Sequence, residues 1–315
     1  MWIVLLAALP TVLYSWLLWR LDRYEREPLH LLAVTFFWGA LPALMLAVIG
    51  ELGLGFLARD HLRAGLDATF IAPLVEEPVK ALALIGLFLF VRREFNGVLD
   101  GIIYGALIGF GFAMSENMLY FLAHREQLAA VWVLRSVAFG FNHAFYTSIV
   151  GIALGIVRLD RHRWHGYAIL PAALALAMLV HGVHNASVQA GLVGLCLAWL
   201  ADSGGVVIVV VVALLALRRE RHWIETQLSP EVAAGVIDPG DMLAVYTPPL
   251  RFSVELQALL RQGWLQYRHR RRLHHLLVEL AFVKHHLRHG DRFCCQADVD
   301  RLRAAVVAQR ALVQE

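Results

Sequence analysis

The stretch PLVEEPVKALALIGLFLF, from Pro73 to Phe90, sets two adjacent carboxylates, Glu76 and Glu77, and the ammonium of Lys80 inside a run otherwise apolar enough for a bilayer. Further along, Glu116 stands in GFAMSENMLYF, His143 in GFNHAFYTSIVG, and His181 and Asn185 in LVHGVHNAS. A charged group at mid-membrane costs about 2.5 to 3.5 kcal/mol on the insertion scale, so Glu76, Glu77, Lys80 and Glu116 would together cost on the order of 10 kcal/mol if isolated. They must pair or be hydrated. Lys80 lies i+4 from Glu76 and i+3 from Glu77, so pairing is available within one helix. Adjacent helical residues diverge by about 100°; one carboxylate can therefore anchor Lys80 while the other faces a cavity. Pro78 removes a backbone donor and disfavours helical geometry at Glu77, which predicts a kink or restart there, aided by Pro73. Carboxylates and imidazoles in a wet pocket suit water activation. A desolvated Glu takes a proton from water, a histidine polarises the water or protonates the leaving group, and an Asn amide or imidazolium stabilises the oxyanion. That is hydrolysis without a covalent nucleophile.

The elements that must position these residues follow from hydropathy. The chain has 315 residues, 59% hydrophobic and 17% charged, with mean hydropathy +0.61. This is the composition of an all-α polytopic membrane protein. Apolar runs long enough to span a hydrocarbon core as helices predict seven spans, roughly 1 to 19, 29 to 57, 69 to 91, 98 to 121, 131 to 157, 167 to 190 and 192 to 217. The last contains Asp202-Ser203-Gly204-Gly205, which predicts a broken helix or a surface loop between shorter segments. The first lacks a basic leader and a small-residue cleavage site, and is expected to stay as an anchor. Residues 1–217 thus form a transmembrane domain and residues 218–315 a basic, helical, cytoplasmic tail.

Arginines set the expected orientation. Arg20, Arg23 and Arg26 follow the first span, Arg92 and Arg93 the third, Arg158, Arg161 and Arg163 the fifth, and Arg218, Arg219 and Arg221 the seventh. The opposite loops hold mainly Arg59, Arg63 and Arg125. By the positive-inside rule the N-terminus is outside and the tail cytoplasmic. The net charge of +3 is then a matter of topology and calls for no nucleic-acid partner. Cys196, Cys294 and Cys295 make no disulfide framework.

With that topology Glu76, Glu77, Glu116, His143, His181 and Asn185 all fall in the outer half of the membrane, which predicts one polar cavity near the outer side. His184 is off the face that His181 and Asn185 share, and it, Asn117 and Asn142 read as well as interhelical bonds. Gly101, Gly105 and Gly109 on the fourth span, with Gly151 and Gly155 on the fifth, favour close packing of that pair.

The succession E-E-x-x-K (Glu76, Glu77, Lys80), D-G-x-x-Y-G (Asp100, Gly101, Tyr104, Gly105), G-F-A-x-x-E-N-x-x-Y (Gly111, Phe112, Ala113, Glu116, Asn117, Tyr120), F-x-H-A-F (His143, Ala144, Phe145) and H-x-x-x-N (His181, Asn185) resembles the PrsW family of intramembrane proteases. The family is distantly similar to CAAX prenyl proteases and the bacterial abortive-infection membrane proteins. The resemblance implies a bacterial cytoplasmic-membrane peptidase that cuts a membrane-anchored protein on the extracytoplasmic side, with an anti-sigma factor as the kind of substrate. It also implies that Glu76 and Glu77 are the catalytic pair and that Glu116, His143 and His181 complete the centre, with Lys80, Asn117 and Asn185 in support. The family has been grouped with metalloproteases. No H-E-x-x-H and no cysteine near the site are present, which favours chemistry without an obligatory metal, although Glu116, His143 and His181 would make an acceptable zinc set. The rival readings are a polytopic transporter and a haem- or metal-binding protein using His143 and His181.

In the tail, SVELQALLRQGWLQYRHRRRLHHLLVELAFVKHHLRHG mixes apolar and basic residues at helical spacing, and Thr247, Pro248 and Pro249 could start that helix. It would lie on the anionic inner leaflet, bind a partner, or pack on itself. Its histidines, His269, His274, His275, His285, His286 and His289, read as a solvated basic face.

Overall fold

A computed structural model describes residues 2–58, 67–159, 164–291 and 294–314. Arg59, Arg63, Arg161 and Arg163 lie outside the described residues. In chain order the helices are α1 (Trp2–Trp19), α2 (Leu29–Trp38), α3 (Leu44–Ala58), α4 (Ala72–Phe90), α5 (Val98–Ala123), α6 (Leu128–Trp132), α7 (Asn142–Leu159), α8 (Trp164–Gln189), α9 (Gly191–Ala233), α10 (Pro239–Tyr246), α11 (Pro248–Gln262), α12 (Trp264–Arg288) and α13 (Gln296–Gln314). No strand occurs among the described residues.

Six helical segments are long and apolar enough to cross a membrane: Trp2–Trp19, Leu29–Leu57, Val98–Ala123, Arg125–Leu159, Ala168–Gln189 and Gly191–Ala233. The remaining expected span is α4, whose 19 residues carry Glu76, Glu77 and Lys80. Two compact units result, one of Met1–Leu21 with Glu27–Leu214, the other of Asp22–Arg26 with Leu215–Glu315.

In the first unit α5 is the most enclosed helix, with 89% of its apolar window buried. Its glycines explain why. A Cβ on Gly101 would overlap the Gly151 carbonyl, and one on Gly109 the His143 carbonyl, so α5 and α7 meet backbone to backbone as the small-residue spacing predicts. Asp100 accepts from the backbone N–H groups of Asn96 (2.5 Å) and Gly97 (3.3 Å) and so closes the start of α5. The Tyr104 hydroxyl donates to the Glu27 carboxylate. These motif residues hold the helix entrance.

α4 does not restart at Pro78, nor does α9 break at residues 202–205. α4 runs through Pro78 as one helix, and Lys80, beyond the proline, binds Glu76 and Glu77 before it. The irregular turn falls just upstream, in the π-helical segment Asp67–Ile71. α9 likewise runs through Asp202-Ser203-Gly204-Gly205, with Asp202 buried against polar partners from other helices. The chain breaks instead at Phe139–Phe141, between a π-helical segment, Val133–Ala138, and α7. That break puts His143 in the first turn of a helix inside the apolar segment Arg125–Leu159, the kind of interruption membrane proteins confine to protein-buried or cavity-lining backbone.

The second unit is a helical body of its own. Leu273, Leu276, Leu277 and Leu280 of α12 are buried with Val299, Leu302 and Val306 of α13. Thr247 does precede a helix, α11. The tail histidines depart from a solvated face: His274, His285 and His286 are buried, because the apolar stripe of α12 that packs on α13 takes their shared turns inside. Lys284 donates to Glu231 at 2.5 Å, and Arg303 grips the same carboxylate with two bonds of 2.8 Å.

Candidate active site

α4 brings three charges to one level of the first unit. Lys80 is fully buried and donates to Glu77 Oε1 at 2.6 Å and to Glu76 Oε2 at 3.2 Å. Its Nζ also lies 3.1 Å from His143 Nδ1 and 4.3 Å from the centre of the Phe112 ring. One ammonium thus offsets two carboxylates, which a helix allows because i+3 and i+4 flank the same stripe.

The carboxylates then diverge in environment. Glu76 lines a cavity of about 580 Å³, and only its Oε2 is taken by Lys80. Glu77 is closed off, with Oε1 shared between Lys80 and His181 Nδ1 (2.8 Å) and Oε2 buried without a hydrogen-bond partner. The imidazoles are fixed by carboxylates. His143 Nε2 is 2.9 Å from Glu116 Oε2, so it donates there and leaves Nδ1 to accept from Lys80. His181 uses Nδ1 on Glu77 and stacks on Tyr146 with centroids 4.9 Å apart.

Glu116, His143, His181, Asn117 and Asn185 line the same cavity as Glu76. Asn142 and His184, which the sequence left open between interhelical bonds and a place in the site, line it as well. Four residues at or behind the cavity had no site role in the sequence reading. Arg135, from the π-helical segment, donates to Glu116 Oε2 at 2.5 Å and to Asn117 Oδ1 at 2.7 Å, and lies over the Tyr120 ring. Glu51 and Tyr146 line the cavity, and Asp202 binds Tyr146 and His184 behind it. Glu51, Arg135 and Asp202 each carried a signal, namely an ionisable residue inside an apolar span.

Glu76, Glu77, His143 and His181 each place one donor atom within 4.8 Å of the others. Two carboxylates and two imidazoles suit a divalent cation such as zinc, and the unpartnered Glu77 Oε2 adds a free acceptor; the residues fit. Glu116 stands outside this set, tied to Arg135. Lys80 Nζ sits among the same donors, so a bound cation would compete with it.

A helical bundle that gathers so many charged groups around one pocket has the make-up of a membrane-embedded hydrolase. Residues 27–217, more than half of the chain, match the PrsW family intramembrane metalloprotease, and the chain belongs to that family. It is 31% identical over 183 residues to protease PrsW of Clostridioides difficile, covering 58% of this chain and 76% of that one. To protease PrsW of Geobacillus kaustophilus it is 31% identical over 166 residues, covering 52% and 69%, and to that of Bacillus subtilis 29% over 170 residues, covering 52% and 72%. No solved structure matches the chain. The protein is therefore an integral membrane peptidase, of a family described as metalloproteases, and the transporter and haem readings give way to this one.

Proposed function

We propose that the chain hydrolyses a peptide bond of a membrane-anchored protein in the Glu76-lined cavity, near the extracytoplasmic side, with Glu76 as the base that takes a proton from water. The observation that carries this reading is the asymmetry of the pair: Glu76 lines the cavity and Lys80 holds only its Oε2, while Glu77 is 1% exposed and does not line it. The arginine distribution supports an outer location for the cavity, and the family's resemblance supports an anti-sigma factor as substrate.

Lys80 holds Glu76 in place, and His143, gripped by Glu116 and in turn by Arg135, fixes Lys80. Water attacks the carbonyl carbon as Glu76 takes its proton. The developing oxyanion meets His181 and Asn185, which share one face of α8, and Glu77 orients the His181 ring through its Nδ1. A divalent cation held by Glu76, Glu77, His143 and His181 would polarise the carbonyl or acidify the water when bound. Substrates with locally unwound segments are favoured, because intact helix shields its own carbonyls.

The test compares new protein N-termini in membranes of host cells carrying the native chain or Glu76→Gln at matched expression. Termini found only with the native chain, on the outer face of anchored proteins, are expected; identical sets of termini would overturn the proposal. Zinc that co-purifies stoichiometrically and is lost in His143→Ala would assign the cluster to a metal.

A further inference from the structure

The hydrolytic scheme leaves one step without a donor. When the tetrahedral intermediate collapses, the departing amine must be protonated, and a second acid-base pair lies on the same cavity. Asp202 is 4% exposed although it sits in the apolar part of α9. His184 Nδ1, on α8, is 2.7 Å from its Oδ2, and the Tyr146 hydroxyl, on α7, donates to its Oδ1 at 3.2 Å. Both oxygens of this buried carboxylate are thus used, and three helices meet on it.

A carboxylate placed there only as interhelical glue would have no need of an opening to water. His184 does have one. It lines the cavity alongside Glu76, His181 and Asn185, and its side chain is 14% exposed against 5% for Asp202. With Nδ1 committed to the carboxylate, Nε2 is the nitrogen left for chemistry, the arrangement by which a carboxylate fixes a histidine's tautomer and balances its imidazolium. The ring is packed against the Phe139 edge at 4.9 Å and the Asn142 amide, whose Nδ2 position is 3.2 and 3.4 Å from the two ring nitrogens.

We propose that His184 is the general acid that protonates the leaving amine and that Asp202 is its positioning residue; this rests on the cavity being the hydrolytic site. The protons balance. Water gives one proton to Glu76 and its hydroxyl to the carbonyl carbon. As the C–N bond breaks, its electron pair goes to nitrogen, which takes the Nε2 proton of the His184 imidazolium. Glu76 returns its proton to His184 through cavity water, and the new carboxylic acid passes its own to the released amine.

The test uses the full-length protein in detergent and a reporter carrying the sequence cut by the native chain, made with either an amide or an ester at the cleaved bond. An alkoxide leaves without the full proton transfer an amine requires, so loss of the acid is felt on the amide. His184→Gln is expected to slow amide cleavage by roughly 10² to 10⁴-fold, the usual range for a general acid, and ester cleavage by less than about tenfold. Asp202→Asn, which keeps the shape of the site, should show the same bias with a smaller loss and serves should His184→Gln fold poorly. Equal losses on both reporters, or no loss on the amide, would overturn the assignment. Glu76→Gln should abolish both reactions; if it leaves them intact, the reading of the cavity fails instead.

Discussion

Replacing Lys80 by Met should be among the most damaging single changes in the membrane unit, and its size separates two accounts of the site. Lys80 is 0% exposed and binds two carboxylates whose side chains are 7% and 0% exposed. If only hydrogen bonding were at stake, three polar contacts at the membrane average of about 0.6 kcal/mol each would lose about 2 kcal/mol. Breaking a buried ion pair costs more, about 3 to 5 kcal/mol, because the surviving charge stays buried without its partner. With two carboxylates left behind, the charge effect dominates, and Lys80→Met should lose about 3 to 5 kcal/mol. The triple variant Glu76→Gln, Glu77→Gln, Lys80→Met removes the charges altogether and should be more stable than Lys80→Met alone. Reversible unfolding of the purified protein in mixed micelles, titrated with a denaturing detergent, gives both differences. A Lys80→Met loss below about 1 kcal/mol, or a triple variant as unstable as the sum of the single changes, would refute the reasoning.

Gly109→Leu should shift α7 and with it His143, since any Cβ there meets the His143 carbonyl; about 1 to 3 kcal/mol of overpacking and a loss of proteolysis are expected, while Gly86→Ala, with open space around it, should leave both unchanged. In the tail, burial pushes His285 down to about 3, with His289 and His286 adding to the effect. Its neutral form is thus favoured in the fold, so the stability of the second unit should be full above the ordinary histidine value of about 6.5 and fall as the pH drops from there toward 3. Thermal unfolding between pH 7.5 and 4.5 should show a shallower fall in His285→Phe, which keeps a ring against Trp223; an unchanged slope would remove His285 as the cause.

Hydropathy alone determined that the chain is a helical membrane protein, because a span must satisfy its backbone within itself and bury apolar side chains over its whole length. Local spacing likewise determined the Glu76, Glu77 and Lys80 network and the glycine faces of α5 and α7, since residues three and four apart meet on any helix. The place of the helix break was not legible. Pro78 is the obvious breaker, yet ion pairs within α4 span it, and the interruption that positions His143 lies at Phe139–Phe141 among residues with no proline. Only the tertiary structure decided which carboxylate faces the cavity, that Arg135 grips Glu116, and that Asp202, 18 residues beyond His184, turns toward it from another helix. Those pairings depend on how separate helices rotate and pack against one another. Periodicity within one helix tells which residues share a face, but not which neighbour that face will meet.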